Sequence, residues 1–117
     1  EEKKYAEGYA NVWYPNGPLS GLDVCYYSQA MLTGAGTFAR EAALLGVPAV
    51  SFFPSPVFLS VDEAMQELGI EFKSRDPKAI REYVDTASRT EASTERSRKV
   101  QREVFDIIDG IIEEVSV

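Results

Sequence analysis

Residues Ala30–Pro48 read AMLTGAGTFAREAALLGVP. The short apolar run Ala30–Thr33 breaks at Thr33-Gly34-Ala35-Gly36-Thr37. It then passes into an Ala- and Leu-rich pattern over Thr37–Leu45, with Phe38, Ala42 and Leu45 as its stripe. Gly46 supplies the residue that ends a helix, and Pro48 lies just beyond it. A strand that turns sharply into a helix leaves first-turn N–H groups without intrahelical acceptors, and the positive end of the helix dipole faces the same point. Such a turn is suited to an anion, and the phosphates of a nucleotide are its expected occupants.

Working outward, Pro48–Phe53 (PAVSFF) is a continuous β-rich run, expected as a strand buried on both faces. Upstream, Leu22, Cys25 and Tyr26 fall at helical spacing within Leu19–Gln29, with Ser20 as a cap. Asn11–Tyr14 reads as a short strand closed by Pro15-Asn-Gly-Pro18, and the polar Glu1–Gly8 as an exposed terminus or a helix remnant. Trp13, Tyr14, Tyr26 and Tyr27 are expected in the core. Downstream of Pro54-Ser-Pro56, Ser60-Val-Asp-Glu63 has the pattern of a capping box, and Val61, Met65 and Leu68 stack before Gly69. Ile70–Phe72 suits a brief edge strand. Asp76-Pro77 opens a helix through Ile80, Val84 and Ala87, and Thr86–Ser97 is polar enough for a linker. The segment 94–117 closes the chain as an amphipathic helix, with Val100, Val104, Ile107, Ile108, Ile111, Ile112 and Val115 on one side. Strands alternating with helices imply a single α/β domain over 1–117. Its parallel sheet is Rossmann-like, with flanking helices and ligands at the carboxyl ends of the strands.

Composition narrows the chemistry. The chain has 117 residues, 44% of them apolar, with 19 acids against 12 bases and a net charge of −7. That surface opposes nucleic acid and anionic membranes, since the bases form no patch. There is no histidine and a single cysteine, Cys25, so zinc sites and Ser-His or Cys-His pairs cannot be assembled from this chain. No apolar run approaches the roughly 20 residues that span a bilayer. A soluble, cytoplasmic chain without bound metal is the expectation.

Three readings of the glycine turn differ in what must follow it. Gly34-Ala-Gly36-Thr-Phe-Ala39 fits the dinucleotide fingerprint, but the strand that should end in a ribose-binding acid ends in Ser51-Phe-Phe-Pro54. A P-loop requires Gly-Lys-Ser/Thr, which is absent. A tight turn serving the backbone alone needs no ligand. Glu41, four residues after Thr37 on the same helical face, adds an acid able to accept two ribose hydroxyls beside phosphates in the turn.

These residues carry a resemblance. Asn11-Val12, Tyr26-Tyr27, Thr33–Pro48, Ser51-Phe-Phe-Pro54 and Ser60-Val-Asp62 resemble the archaeal and bacterial DUF354 proteins, over about Asn11–Gly69. That family is similar to the GT-B superfamily, especially UDP-N-acetylglucosamine 2-epimerases and GT-B glycosyltransferases. The resemblance implies a UDP-sugar as substrate, without a further cofactor. It makes Gly34, Ala35, Gly36 and Thr37 the phosphate contacts and Glu41 the ribose acceptor, with Pro18–Asp23 near the base. Paired glycines are usual in the family where this chain has Ala35-Gly36. The resemblance also implies a partial C-terminal GT-B-type domain, in which two strands would sit between Asn11–Tyr14 and Ala30–Thr33 in a 3-2-1-4-5-6 order. The chain is then a fragment of a two-domain protein, completed by a missing N-terminal domain or another chain, and no catalytic residue is assigned. The final helix would either cross to that domain or, if its stripe is exposed, join copies of this chain. Two functions follow as alternatives: the nucleotide-sugar-binding half of a transferase or epimerase, and a non-catalytic α/β oligomerisation domain.

Overall fold

Apolar residues at the expected spacings do form strands and helices in alternation. The computed structural model describes residues 2–57 and 59–116, so Glu1 and Val117, the outer ends of two expected segments, lie outside it. After a 3-10 turn at Glu2–Ala6 come α1 (Gly21–Tyr27), β1 (Met31–Thr33), α2 (Gly36–Leu44) and β2 (Ala49–Ser51). They are followed by α3 (Ser60–Glu67), β3 (Phe72–Lys73), α4 (Pro77–Thr86) and α5 (Glu95–Val115). The strands form one parallel sheet in the order β1-β2-β3, with Leu32 opposite Val50 and Val50 opposite Phe72. Mixed α/β architecture with a parallel sheet and a long terminal helix is as the sequence predicts.

Side chains alternate across a strand, so Leu32, Val50 and Phe72 share one face, and Met31, Ala49 and Glu71 the other. On the first face α4 packs through Tyr83, whose ring stacks on Phe72 with centroids 4.7 Å apart. On the second, Cys25 of α1, Ala42 and Ala43 of α2, Val47, Ala49 and Met65 of α3 form the core, with Met31, Leu45 and Ile70 packed against it. Alanines on α2 let that helix lie close to both the sheet and α1, leaving little room for larger side chains. The α2 stripe is accordingly Ala39, Ala42 and Ala43, while Phe38 is largely exposed.

Local chemistry sets the helix ends. Ser20 caps α1 by accepting from the Asp23 N–H, and Asp76 caps α4 by accepting from the Lys78 N–H at 3.0 Å, with Pro77 first in the helix. At α3 the cap shifts by one residue from the expected box. Leu59 is the N-cap, Ser60 is already helical, and the Asp62 carboxylate accepts from the Leu59 N–H. Asp62 wins because its carboxylate also faces a cation, described below.

Four expectations fail. Asn11–Tyr14 is not a strand and pairs with none of the three strands of the sheet. Instead Tyr14 donates to the Lys3 carbonyl and the segment folds back on the terminus. The aromatics expected inside are on the surface, with Trp13 72% and Tyr27 80% exposed. The run Pro48–Phe53 contributes only Ala49–Ser51 to the sheet, since Phe52 and Phe53 turn outward. The last strand is Phe72–Lys73 rather than Ile70–Phe72, one step later, because the Ile70 N–H closes the end of α3 on Met65.

The polar stretch between α4 and α5 is tied to the body. The Thr90 N–H donates to the Gly46 carbonyl at 2.8 Å, and the Arg89 guanidinium lies 4.4 Å from the Tyr26 ring centre. Beyond it α5 contributes no buried residue, and its seven stripe side chains are all at least 43% exposed.

Candidate functional site

The carboxyl ends of β1 and β2 carry the turns that the sequence singles out. Thr33 closes β1, and its Oγ1 accepts from the Ala35 N–H at 2.9 Å, which folds the chain into α2. Ala35 is the N-cap of α2 and offers no side-chain cap. Gly36 and Thr37 are therefore first-turn residues, whose N–H groups have no intrahelical acceptor. Of the four expected phosphate contacts, Gly36 and Thr37 stand at the helix start and line a cleft of about 390 Å³. The Ala35 N–H is already engaged by Thr33, and Gly34 lies in the turn against Phe52.

That cleft lies between the N-terminal turns of α2 and α3. Arg40, Ser51, Phe53 and Asp62 line it together with Gly36 and Thr37. Arg40 grips Asp62 through two nitrogens on one oxygen, Nη2 at 2.7 Å and Nε at 2.9 Å. Its guanidinium rests on the α-carbon of Gly36, where an added Cβ would come 2.9 Å from Nη2. A side chain at this position would push the flexible end of Arg40 aside. Ser51, only 4% exposed, closes the inner end of the cleft at the tip of β2. The cleft wall is largely apolar, and its polar groups are the Thr37, Ser51 and Ser55 hydroxyls, the first N–H groups of α2 and the Arg40–Asp62 ion pair. The carboxylate of Asp62 is occupied by Arg40 and the Leu59 N–H.

Glu41 sits elsewhere. It is partly buried on the side of α2 that faces α1, close enough to Cys25 to add to the burial that pushes the thiol pKa up. The expected ribose acceptor and the cleft are therefore on opposite flanks of one helix N-terminus. Glu71, just before β3, is a group that no sequence pattern singles out. It is 6% exposed, both carboxylate oxygens lack hydrogen-bond partners, and burial followed by the nearby Asp62 charge raises its pKa. The Arg40 and Lys73 charges act the other way. Its position after a glycine-ended helix reads as ordinary strand polarity, so only the packing of α3 on the sheet exposes it as unusual.

The chain has relatives of known sequence. All of it, residues 1–117, matches the family described as "Protein of unknown function (DUF354)". The chain belongs to the DUF354 family. A curated relative, "Uncharacterized protein MJ0665" from Methanocaldococcus jannaschii, is 33% identical over 85 residues, which are 73% of this chain and 25% of the relative. The DUF354 chain thus spans about a quarter of the length of that relative. No solved structure matches it. No helix among the described residues of the DUF354 chain is long and apolar enough to cross a membrane.

Proposed function

We propose that this chain is the nucleotide-sugar-binding part of a glycosyltransferase- or epimerase-like protein, with a GT-B-type arrangement completed by a domain outside these residues. One observation carries the reading. A helix without a side-chain cap starts at the carboxyl edge of a parallel sheet, and its first turn opens into a cleft lined by Thr37, Ser51 and the Arg40–Asp62 ion pair. A diphosphate is the ligand that such an edge accommodates best, by backbone N–H groups and the dipole of α2. Gly34, Gly36 and Thr37 line its path, Ala35 shapes the turn, Arg40 adds a cation, and Glu41 on the α1 flank takes the ribose hydroxyls. The order β1-β2-β3 is compatible with the last three strands of a 3-2-1-4-5-6 sheet, whose earlier strands would join at β1.

The test is calorimetric titration with UDP and UDP-sugars. Binding is expected, with Arg40→Ala weakening UDP by about 10- to 100-fold, the worth of one charge-assisted hydrogen bond. Glu41→Ala is expected to abolish the gain in melting temperature on UDP, while UMP and inorganic phosphate give smaller gains than UDP. A folded chain that binds no member of a nucleotide panel overturns the reading. A second reading, a non-catalytic oligomerisation domain, is favoured in that case by the exposed apolar stripe of α5.

A further inference from the structure

A buried acid without a hydrogen-bond partner lies next to the cleft. Glu71 shares a face of the sheet with Lys73 and Ser51, the face that α2 and α3 cover. Ser51 and Lys73 end their strands side by side, and Glu71 lies one row further in. The Arg40–Asp62 pair joins the two covering helices and forms part of the cleft wall. Buried carboxyl groups are normally paired, yet neither oxygen of Glu71 has a partner. Three charged groups face it: Arg40 from α2, Asp62 from α3 and Lys73 from β3. Strand β2 meets it with the uncharged Ala49 and Ser51. Burial and Asp62 favour the neutral acid, whereas Arg40 and Lys73 favour the carboxylate.

We propose that an anion enters this cleft together with a proton from solvent, and that Glu71 holds the proton. The inference rests on the cleft being a phosphate site and adds the regulation of that site. Two of the three charges that govern Glu71, Arg40 and Asp62, line the cleft itself. A phosphate there engages the Arg40 guanidinium, which weakens the attraction that favours a charged Glu71. The phosphate also brings negative charge of its own to the same neighbourhood. Both effects favour the neutral acid, which in turn does not repel the bound anion. Coupling is reciprocal: a proton on Glu71 strengthens anion binding by the factor by which the anion strengthens proton binding. Affinity is therefore full below the pKa of Glu71 in the free protein. It falls between that value and the higher one in the complex, and stays low above both. Burial already lifts the free value above the ordinary glutamate range, which moves the fall towards neutral pH.

Calorimetric titration with UDP and with inorganic pyrophosphate tests this, in paired buffers of equal pH and different ionisation enthalpy. Protons exchanged by the ligand itself are common to wild type and variants. Wild type is expected to take up more protons on binding than Glu71→Gln, which keeps the shape and cannot titrate. Its affinity is expected to fall by about tenfold more than that of the variant as pH rises through the window, the equivalent of one pKa unit of coupling. Glu71→Met is expected to show the same flattened profile, and far-UV circular dichroism checks that both variants are folded. Equal proton uptake by wild type and both variants overturns the proposal and leaves the phosphate site standing. Pyrophosphate binding with the extra uptake, without UDP binding, upholds the proposal and overturns the nucleotide reading. A folded wild type that binds neither ligand overturns both.

Discussion

Replacing Gly46 with alanine is expected to destabilise the fold by about 3 kcal/mol, the largest single effect outside the core strands. Gly46 follows α2 with φ at +74°, a left-handed conformation that costs an L-residue roughly 1–2 kcal/mol. The new methyl group would also meet the Thr90 carbonyl oxygen, and the two backbones would have to separate. Separation breaks the Thr90 N–H bond to the Gly46 carbonyl, adding about 1 kcal/mol. A urea unfolding midpoint measures the sum. Thr90→Ala leaves the Gly46 backbone conformation untouched and is expected to cost far less. Thr90→Ala keeps the Thr90 N–H and carbonyl, so equal losses from the two variants would show that the Thr90 side chain, rather than the Gly46 turn, is what matters.

Glu71→Met is expected to raise stability at neutral pH by about 2 kcal/mol, through removal of a buried carboxylate that has no hydrogen-bond partner. The sign depends on pH. Burial raises the native pKa above the ordinary glutamate value, so the native state binds its proton more tightly than the unfolded chain does. Below the unfolded pKa both states are protonated and no charge is buried. As pH climbs from the unfolded value to the raised native one, the wild type loses stability, and above that it stays at the lower level. The gain from Glu71→Met is therefore expected to grow across that window and then level off. Thermal denaturation of both proteins from acid to neutral pH measures it. A gain that is independent of pH would mean that shape, not charge, sets the cost of Glu71.

The sheet and its crossovers were legible because Thr33–Pro48 combines three signals that agree: a β-rich end, a glycine turn and a capped-off helical stretch. Asp76-Pro77 and Ser20 were equally readable, since each cap acts within three residues of itself. What local patterns could not supply was pairing. Asn11–Tyr14 has strand composition, yet a strand exists only where it pairs with another, and this segment pairs with none. Trp13 and Tyr14 belong to that segment and are exposed with it. The candidate site divides similarly. Gly36 and Thr37 follow from the turn, and both line the cleft. Arg40 does not stand out in the sequence, because its place in the cleft depends on Asp62, 22 residues away. No spacing rule encodes a contact between the first turns of two successive crossover helices.

The shortness of β1 has a consequence for how the sheet can grow. The Met31 N–H donates to the Pro48 carbonyl, and the Thr33 carbonyl accepts from the Phe52 N–H, so both residues are committed to β2. In a parallel ladder the intervening residue, Leu32, turns its own N–H and carbonyl the opposite way. Among the described residues β1 pairs with β2 alone, so its outer edge presents just that one donor and one acceptor. Such an edge is a poor template for indiscriminate strand addition between molecules, because a stray strand gains two hydrogen bonds and no fixed register. Any strand that does extend the sheet here must bring its own hold on the surrounding surface.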